Sequence, residues 1–411
     1  MKKSIVMFSL FLGVLITPTV FQNQYISAMG KVSDNTSKIT TKNKDSNQSY
    51  NETRKLNFML GGGETGRIEN VPQEKNDDSP ESSSEQNPVN NSTTGLLPNA
   101  KRHLLTATYD GSAQATHPSV IDFKLEYGIE KWNGYRYWMV LTPYPYSNDK
   151  YENPSILSSN DGVTWVIPPG FKKPVDIKED KKNFNSDPEI LYDQGTNTLI
   201  LYWREVLMGQ YDKIWRTRIF ENGKVEPKVL TVEESWSDNE GLALSPTVWR
   251  KSSVEWYMWT ANGSSTVHIY TSSDGVHWSK RERCSYPWLN WNDGYIPWHL
   301  DAKPNYREQR IEFFIAGFPK GKGLNDMVVF YAEAPFSNPS KLSMPLKNPL
   351  LTKGDPTNWD GNYVYRTSFT IEPERNSYKY HVWYSAMSTL GQWRIGYTEG
   401  KIGTSHSTNP N

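Results

Sequence analysis

Residues 159–165 (Ser-Asn-Asp-Gly-Val-Thr-Trp) and residues 272–278 (Ser-Ser-Asp-Gly-Val-His-Trp) are two copies of nearly the same turn. Each copy follows a short apolar segment that has the character of a β-strand. The Asp-Gly pair supplies the positive-φ geometry of a tight hairpin, and the Trp that follows can pack back on it. Asp161 and Asp274 are 113 positions apart, which is two units of about 56 residues. This spacing predicts an internal repeat.

Strand openings fill the intervals around these turns, at residues 117–121, 187–191, 245–248, 301–304 and 366–369. An aromatic-rich second strand follows each opening, at residues 135–142, 198–205, 255–261, 311–317 and 380–386. Residues 102–403 contain no run with the 3.6-residue period of a helix. Five units of three or four strands predict an all-β, five-bladed β-propeller over residues 101–403. Two stacked sheets of a β-sandwich are the alternative.

The amino-terminal hundred residues have a different composition. Two lysines precede an apolar run over residues 5–21, and small residues follow it, which predicts a signal peptide over residues 1–30 and a secreted protein. A membrane anchor is the alternative. Residues 31–100 are polar and almost free of aromatic side chains, which predicts a disordered low-complexity spacer. Residues 404–411 are predicted to form a disordered tail.

The overall composition excludes several classes of protein. The chain has 45 basic and 45 acidic side chains, so it lacks the basic excess that binds nucleic acid. A mean hydropathy of −0.70 excludes a protein with several membrane spans, and the single cysteine excludes a disulfide framework. All 16 Trp lie from Trp132 onward. We therefore expect a protein that, after signal cleavage, binds neither nucleic acid nor membrane, and we expect it to be a monomer.

The Ser-x-Asp-Gly-x-x-Trp turn, the Asp-Pro strand openings and the five-unit length resemble a known family. They are similar to the five-bladed propeller glycoside hydrolases of the arabinanase/xylosidase and invertase/levansucrase type. The resemblance covers residues 101–403. It implies a site at the channel rim, where the first strands of all the blades begin.

Glycoside hydrolysis needs two carboxyl groups, one on each side of the acetal that is cleaved. Asp187 is the first candidate because Ser186-Asp187-Pro188 resembles the opening of the second blade in those hydrolases. By that resemblance it would orient sugar hydroxyls and tune the acid. Asp301 is the candidate base or nucleophile, and Glu152 or Glu240 is the candidate general acid. A turn cap or a surface carboxylate is the structural alternative for each.

The candidate substrate-binding residues are His117, Arg204, His299, Arg366, Trp288, Trp291 and Trp298. Guanidinium groups suit a carboxylate, sulfate or phosphate, and Trp rings suit the faces of sugars. An ion pair is the alternative for Arg204, and packing between blades is the alternative for the Trp residues. The seven His show neither H-x-H nor H-E-x-x-H spacing, so no metal or cofactor is expected beyond a Ca²⁺ in the channel.

Two positions depart from the family pattern. His117 stands where the first blade of those hydrolases opens with an acidic residue, and Ser245 stands where their third blade brings a Glu. Three functions therefore remain open. The first is a secreted glycoside hydrolase acting on a polysaccharide or cell-wall glycan. The others are a noncatalytic glycan-binding or adhesion propeller, and a uronate polysaccharide lyase with His117 or a Tyr as base.

Overall fold

The computed structural model describes residues 95–403 except residues 179, 181, 239 and 286–293. The predicted signal peptide and tail, nearly all of the predicted spacer, Trp288 and Trp291 lie outside the described residues. Within the described part, no helix is both long enough and apolar enough to cross a membrane.

Within the described residues, seventeen strands form five antiparallel sheets, each built from consecutive strands. Blade 1 contains β1 (Ala115–Asp122), β2 (Tyr137–Pro143) and β3 (Ser155–Ser159). Blade 2 contains β4 (Phe184–Asp193), β5 (Thr198–Leu207), β6 (Tyr211–Ile219) and β7 (Val229–Ser235). Blade 3 contains β8 (Leu244–Arg250), β9 (Trp256–Ala261), β10 (Val267–Ser272) and β11 (Glu282–Arg283). Blade 4 contains β12 (Tyr295–Asn305), β13 (Arg310–Pro319) and β14 (Val328–Pro335), and blade 5 contains β15 (Tyr363–Pro373), β16 (Tyr378–Met387) and β17 (Trp393–Gly400).

The helices are short and lie in the connections. The α-helix of the described residues, α1 (Phe123–Tyr127), follows β1, and Asp122 caps it by accepting from the backbone N–H groups of its first turn. The described 3₁₀ turns are Pro145–Ser147, Asp149–Tyr151, Trp236–Asp238 and Leu324–Asp326.

The first strands of the blades form a closed ring. β1 contacts β4 and β15, β8 contacts β4 and β12, and β12 contacts β15. A sandwich of two sheets has no such cycle, whereas a propeller requires one around its channel. The predicted all-β five-bladed propeller is confirmed.

Every inner strand contains a bulge near its beginning. In blades 1, 2 and 3 the pairing with the second strand skips His117-Pro118, Asp187-Pro188 and Ser245-Pro246. In blade 4 the pairing skips Trp298, and in blade 5 it skips Tyr365-Arg366. In the first three blades the bulged residue has a left-handed backbone, with φ near +50°. Such a conformation costs roughly 1–3 kcal/mol for a residue other than Gly, and bulges re-aim side chains next to functional sites.

The two Asp-Gly turns connect neighbouring blades. Asp161 Oδ1 accepts from the backbone N–H groups of Val163 and Thr164 at 2.9 and 2.7 Å. Trp383 Nε1, from the fifth blade, donates to the Gly162 carbonyl at 2.7 Å. In the third blade the Gly275 carbonyl accepts from the Tyr202 hydroxyl of the second blade at 2.5 Å. Both turns therefore bind an aromatic side chain on the second strand of the preceding blade.

Residues 95–104 pack on the fifth blade and on residues 349–351, which pair with β14 of the fourth blade. Leu97 is buried in the main hydrophobic cluster, and its backbone N–H donates to the Leu350 carbonyl at 2.9 Å. Asn99 Nδ2 donates to Asp360 Oδ2 at 2.7 Å, and His103 pairs with Gly396 of β17. This segment covers the outer strand of the last blade.

Candidate active site

A pocket opens at the end of the channel where the inner strands begin. Polar side chains line part of this pocket, and aromatic side chains that include Trp298 and Trp393 line the rest. The polar residues that line it are His117, Ser147, Asp149, Glu152, Ser186, Asp187, Arg204 and His299. The rim expected from the sequence is therefore a cavity to which several blades contribute.

Two histidines and an aspartate form a buried cluster at this pocket. His117 Nε2 lies 3.6 Å from Asp187 Oδ1, and His299 Nδ1 lies 3.0 Å from the same oxygen. One ligand atom from each residue lies within 4.8 Å of the others, and all three side chains are buried. The residues come from blades 1, 2 and 4, so the fold and not local spacing brings them together.

Hydroxyl groups orient both imidazole rings. His117 Nδ1 is 3.0 Å from Thr142 Oγ1, and His299 Nδ1 is 2.6 Å from Ser245 Oγ. Ser245 Oγ also donates to Asp187 Oδ1 at 3.0 Å. Among the described residues, Nε2 of His117 and Nε2 of His299 have no hydrogen-bond partner. A ring that is fixed through one nitrogen and leaves the other unpaired is the usual arrangement of a metal-binding histidine.

The donor set fits a divalent first-row metal ion. Two imidazoles and one carboxylate are three protein ligands, which is the number that leaves a position open for water in catalytic zinc sites. Ligands that each lie about 2.0–2.2 Å from one ion are separated by roughly 3–4 Å. The 3.6 Å between His117 Nε2 and Asp187 Oδ1 lies in that range. Burial lowers the pKa of both histidines, which favours the neutral form that binds metal.

Asp187 is held as a carboxylate with both oxygens occupied. Burial alone raises its pKa, but the hydrogen bond from neutral His299 and the charge of Arg204 outweigh burial and hold the pKa well below its usual value. Oδ2 accepts from Ser186 Oγ at 3.0 Å and lies 3.5 Å from Arg204 NH1. A carboxylate with this many partners is suited to binding a cation or fixing neighbours, and little of it remains free to contact a sugar.

Glu152 is the other buried carboxyl group of the pocket. It lies in the turn before β3, with Oε1 3.4 Å from His117 Nδ1. Burial raises its pKa well above the usual value, and the charges of Asp149 and Asp187 raise it further. A raised pKa lets a carboxyl group hold a proton and release it, as general acid–base catalysis requires.

Tyr365 lies over the two histidines. Its ring centroid is 4.1 Å from that of His299 and 5.5 Å from that of His117. Trp298 Nε1 donates to the Tyr365 hydroxyl at 3.1 Å. Burial raises the pKa of Tyr365 well above its usual value, so the phenol keeps its proton in the pocket.

The structure places several of the candidate residues away from the pocket lining. Asp301 lies deeper in the channel, where Oδ2 accepts from the Phe369 N–H at 3.0 Å and Oδ1 accepts from Thr247 Oγ1 at 3.3 Å. Arg366 is fully buried beneath the pocket, 4.0 Å from Asp187 and 3.3 Å from Glu189. Glu240 lies on the third blade beside His268 and Arg283 and does not line the pocket.

Six of the candidate residues line the pocket. They are the catalytic candidates Asp187 and Glu152 and the substrate-binding candidates His117, Arg204, His299 and Trp298. Arg204 also contacts Asp212 at 2.7 Å, so the guanidinium bridges two carboxylates. Sequence reasoning missed Tyr365, Trp393 and Tyr144. The one local signal for Tyr365 was its position next to Arg366 at the start of the fifth blade.

No family model matches the chain. It is similar to the A type blood N-acetyl-alpha-D-galactosamine deacetylase of Flavonifractor plautii, with 29% identity over 368 residues. The match covers 72% of this chain and 46% of that protein, so the chain spans about half the length of its curated relative.

Two solved structures share the fold. One is an N-acetylgalactosamine deacetylase from F. plautii in complex with blood group B trisaccharide, with a TM-score of 0.65 and 22% identity over 74% of this chain and 96% of that one. The other is a BT0996 RGII complex, with a TM-score of 0.51 and 12% identity over 76% of this chain and 94% of that one. The expected resemblance to five-bladed propeller glycoside hydrolases is confirmed at the level of fold.

Proposed function

We propose that this protein is a metal-dependent deacetylase that hydrolyses the N-acetyl group of an amino sugar at the end of a glycan. The observation that carries the proposal is the buried cluster of His117, Asp187 and His299 at the pocket. The two positions that depart from the glycosidase pattern are both part of this arrangement. His117 belongs to the cluster, and Ser245 is hydrogen-bonded to its other two members. The similarity to a propeller deacetylase supports the same reaction.

The reaction breaks the amide C–N bond and joins a water oxygen to the acetyl carbon, giving acetate and a free amine. A divalent ion bound by the cluster would lower the pKa of water and polarise the acetyl carbonyl. Glu152 would accept the water proton and pass a proton to the departing amine. The Tyr365 hydroxyl would donate to the oxygen that gains charge. Trp298 and Trp393 would hold the sugar ring.

The expected glycoside hydrolase is the second candidate, because Asp187 and Glu152 are two carboxyl groups in one pocket. In that reaction Asp187 would have to contact sugar or water, yet its oxygens contact His117, His299, Ser245, Ser186 and Arg204. These contacts favour the deacetylase. The apolar run over residues 5–21 supports the further proposal that the enzyme acts outside the cell.

One experiment separates the two reactions. The full-length protein is treated with a chelator, reloaded with Zn²⁺, Mn²⁺ or Co²⁺, and incubated with an oligosaccharide that ends in N-acetylgalactosamine. We expect metal-dependent release of acetate and no new reducing ends. Release of sugar without acetate would replace the deacetylase with the glycosidase. Unsaturated products from a uronate polysaccharide would indicate the lyase, and binding of glycan without any product would indicate the adhesion propeller.

A further inference from the structure

One turn between the second and third strands of blade 1 separates two cavities. Asp149 and Glu152 line the candidate active site on one side. Lys150, Tyr151 and Asn153 line a groove on the other. Because consecutive residues of one turn face both cavities, the groove lies immediately beside the mouth of the pocket.

The groove has the surface that a sugar ring prefers. Tyr109, Tyr151 and Ile177 supply its apolar part. Tyr151 is 41% exposed and Ile177 is 57% exposed, although most large apolar side chains of the described propeller are buried. Exposed aromatic faces next to polar groups suit the C–H faces of sugars, with hydrogen bonds at the ring edge.

Hydrogen bonds fix the groove before any ligand arrives. The Tyr109 hydroxyl donates to the Tyr151 carbonyl at 2.8 Å and accepts from Asn153 Nδ2 at 2.9 Å. Asn153 Oδ1 accepts from the Lys178 N–H at 3.0 Å. A surface held in this way loses little conformational freedom when it binds, which favours affinity.

The groove also carries positive charge. Lys150 and Lys178 line it, and no described Asp or Glu side chain does. Neither lysine has an ion-pair partner within 4 Å among the described residues, Lys178 Nζ lies 3.5 Å from the Asp149 carbonyl oxygen, and the Asp149 carboxyl group interacts with both lysines at longer range. Two ammonium groups against one such carboxyl group leave positive charge beside an aromatic face, which suits a sugar that bears a carboxylate or sulfate.

We propose that this groove is the subsite for the sugar residue next to the reacting amino sugar, and that it prefers an acidic residue there. The inference rests on the proposed function for the identity of the reacting sugar. Under this proposal the substrate is an extended, anionic glycan.

The test measures binding to the full-length protein by titration calorimetry. The probes are methyl α-N-acetylgalactosaminide, a neutral trisaccharide that ends in the same sugar, and a sulfated form of that trisaccharide. We expect the neutral trisaccharide to bind about ten-fold more tightly than the methyl glycoside, as one additional ring contact provides. Y151A should remove most of this difference and leave binding of the methyl glycoside unchanged.

The matched control is Y306A, because Tyr306 is an exposed tyrosine at the opposite end of the channel. It should leave all three affinities unchanged. K150A and K178A should weaken only the sulfated trisaccharide, and added salt should have the same effect. If wild type binds the mono- and trisaccharides equally, or if Y151A weakens both equally, the subsite is wrong.

These outcomes are independent of the reaction itself. If no acetate is released but Y151A still affects only the trisaccharides, the deacetylase proposal fails and the subsite stands. If acetate is released and the KM of both trisaccharides is unchanged by Y151A, the subsite fails and the deacetylase stands.

Discussion

Ser245 bonds two of the three members of the His117–Asp187–His299 cluster. Its hydroxyl lies 3.0 Å from Asp187 and 2.6 Å from His299. Removing a group that orients metal ligands commonly weakens metal binding about 10- to 100-fold. We therefore expect S245A to lose metal affinity to about that extent, measured by competition with a chromophoric chelator.

The matched control is S119A. Ser119 is also a buried serine on an inner strand, and it donates to Glu189 at 2.8 Å. It should keep wild-type metal affinity. Equal losses in S119A and S245A would mean that the effect is general destabilisation of the channel, and the positioning role of Ser245 would be wrong.

Glu152 and Glu240 were equivalent candidates for the acid in the sequence, and the structure distinguishes them. Glu152 is 2% exposed in the pocket, whereas Glu240 lies on the third blade beside Arg283. We expect E152Q to lower the kcat of acetate release by about 10²- to 10⁴-fold, the usual contribution of a general acid–base. E240Q should change kcat by less than about two-fold, since Glu240 does not line the pocket. The reverse order would move the acid to the third blade.

The cluster could be predicted only in part from the sequence. His117 and Asp187 each precede a proline, and this shared feature placed both at the channel. In blade 4 the proline is Pro297, and it precedes the bulge at Trp298 instead of lying within it. The sequence therefore placed Asp301, and not His299, at the start of the fourth inner strand. Metal ligands from three blades have no common spacing, so searching for H-x-H patterns does not reveal them.

At the scale of elements, the Asp-Gly turns depend on carboxylate caps. Burial alone raises the pKa of Asp161, but hydrogen bonds from the N–H groups of Thr164 and Val163 outweigh it and lower the pKa to about 2. We expect D161A to lower the free energy of unfolding by about 1–2 kcal/mol at neutral pH, as for a lost cap. Urea denaturation at pH 7 measures this change.

The same carboxylate predicts a pH dependence. Its folded pKa is below the unfolded value of 3.8, so its contribution is complete above that value and is lost as pH falls towards about 2. D161N retains an accepting oxygen but does not titrate. The difference in stability between wild type and D161N should therefore shrink between pH 5 and pH 2.5. A constant difference would contradict the carboxylate's role.

The turns and the aromatic second strands could be predicted because their patterns are local. The bulges could not, because the extra residue in each inner strand is set by pairing with the second strand. The segments that begin at His117, Asp187 and Ser245 were expected to open the strands, yet the strands begin earlier, at Ala115, Phe184 and Leu244. Proline lacks an N–H group, and the bulge accommodates it within a paired strand.

At the scale of the whole molecule, the segment that precedes β1 helps hold the last blade. The sequence assigned residues 95–100 to a disordered spacer, since they are few and adjoin a polar tract. The structure places Leu97 in the core, 1% exposed, while Leu105 nearby is 79% exposed. Only long-range contacts, with blade 5 and with the segment that pairs with blade 4, distinguish these two leucines.

We expect L97A to lower the free energy of unfolding by about 2–5 kcal/mol, as for a buried leucine. L105A, the matched control, should change it by less than about 0.5 kcal/mol. Thermal unfolding of the full-length protein measures both. Equal midpoints for L97A and wild type would show that residues 95–104 do not stabilise the propeller.

The bulged residues of the inner strands are excluded from strand pairing, so their side chains are not constrained by the sheet that carries them. A substitution at position 117, 187 or 245 changes what faces the pocket while the ladder on either side keeps its register. An imidazole, a carboxylate and a hydroxyl therefore occupy equivalent bulges of this one chain without a change in the pairing around them. This separation of chemistry from folding offers one route by which enzymes that cleave different bonds can descend from one scaffold.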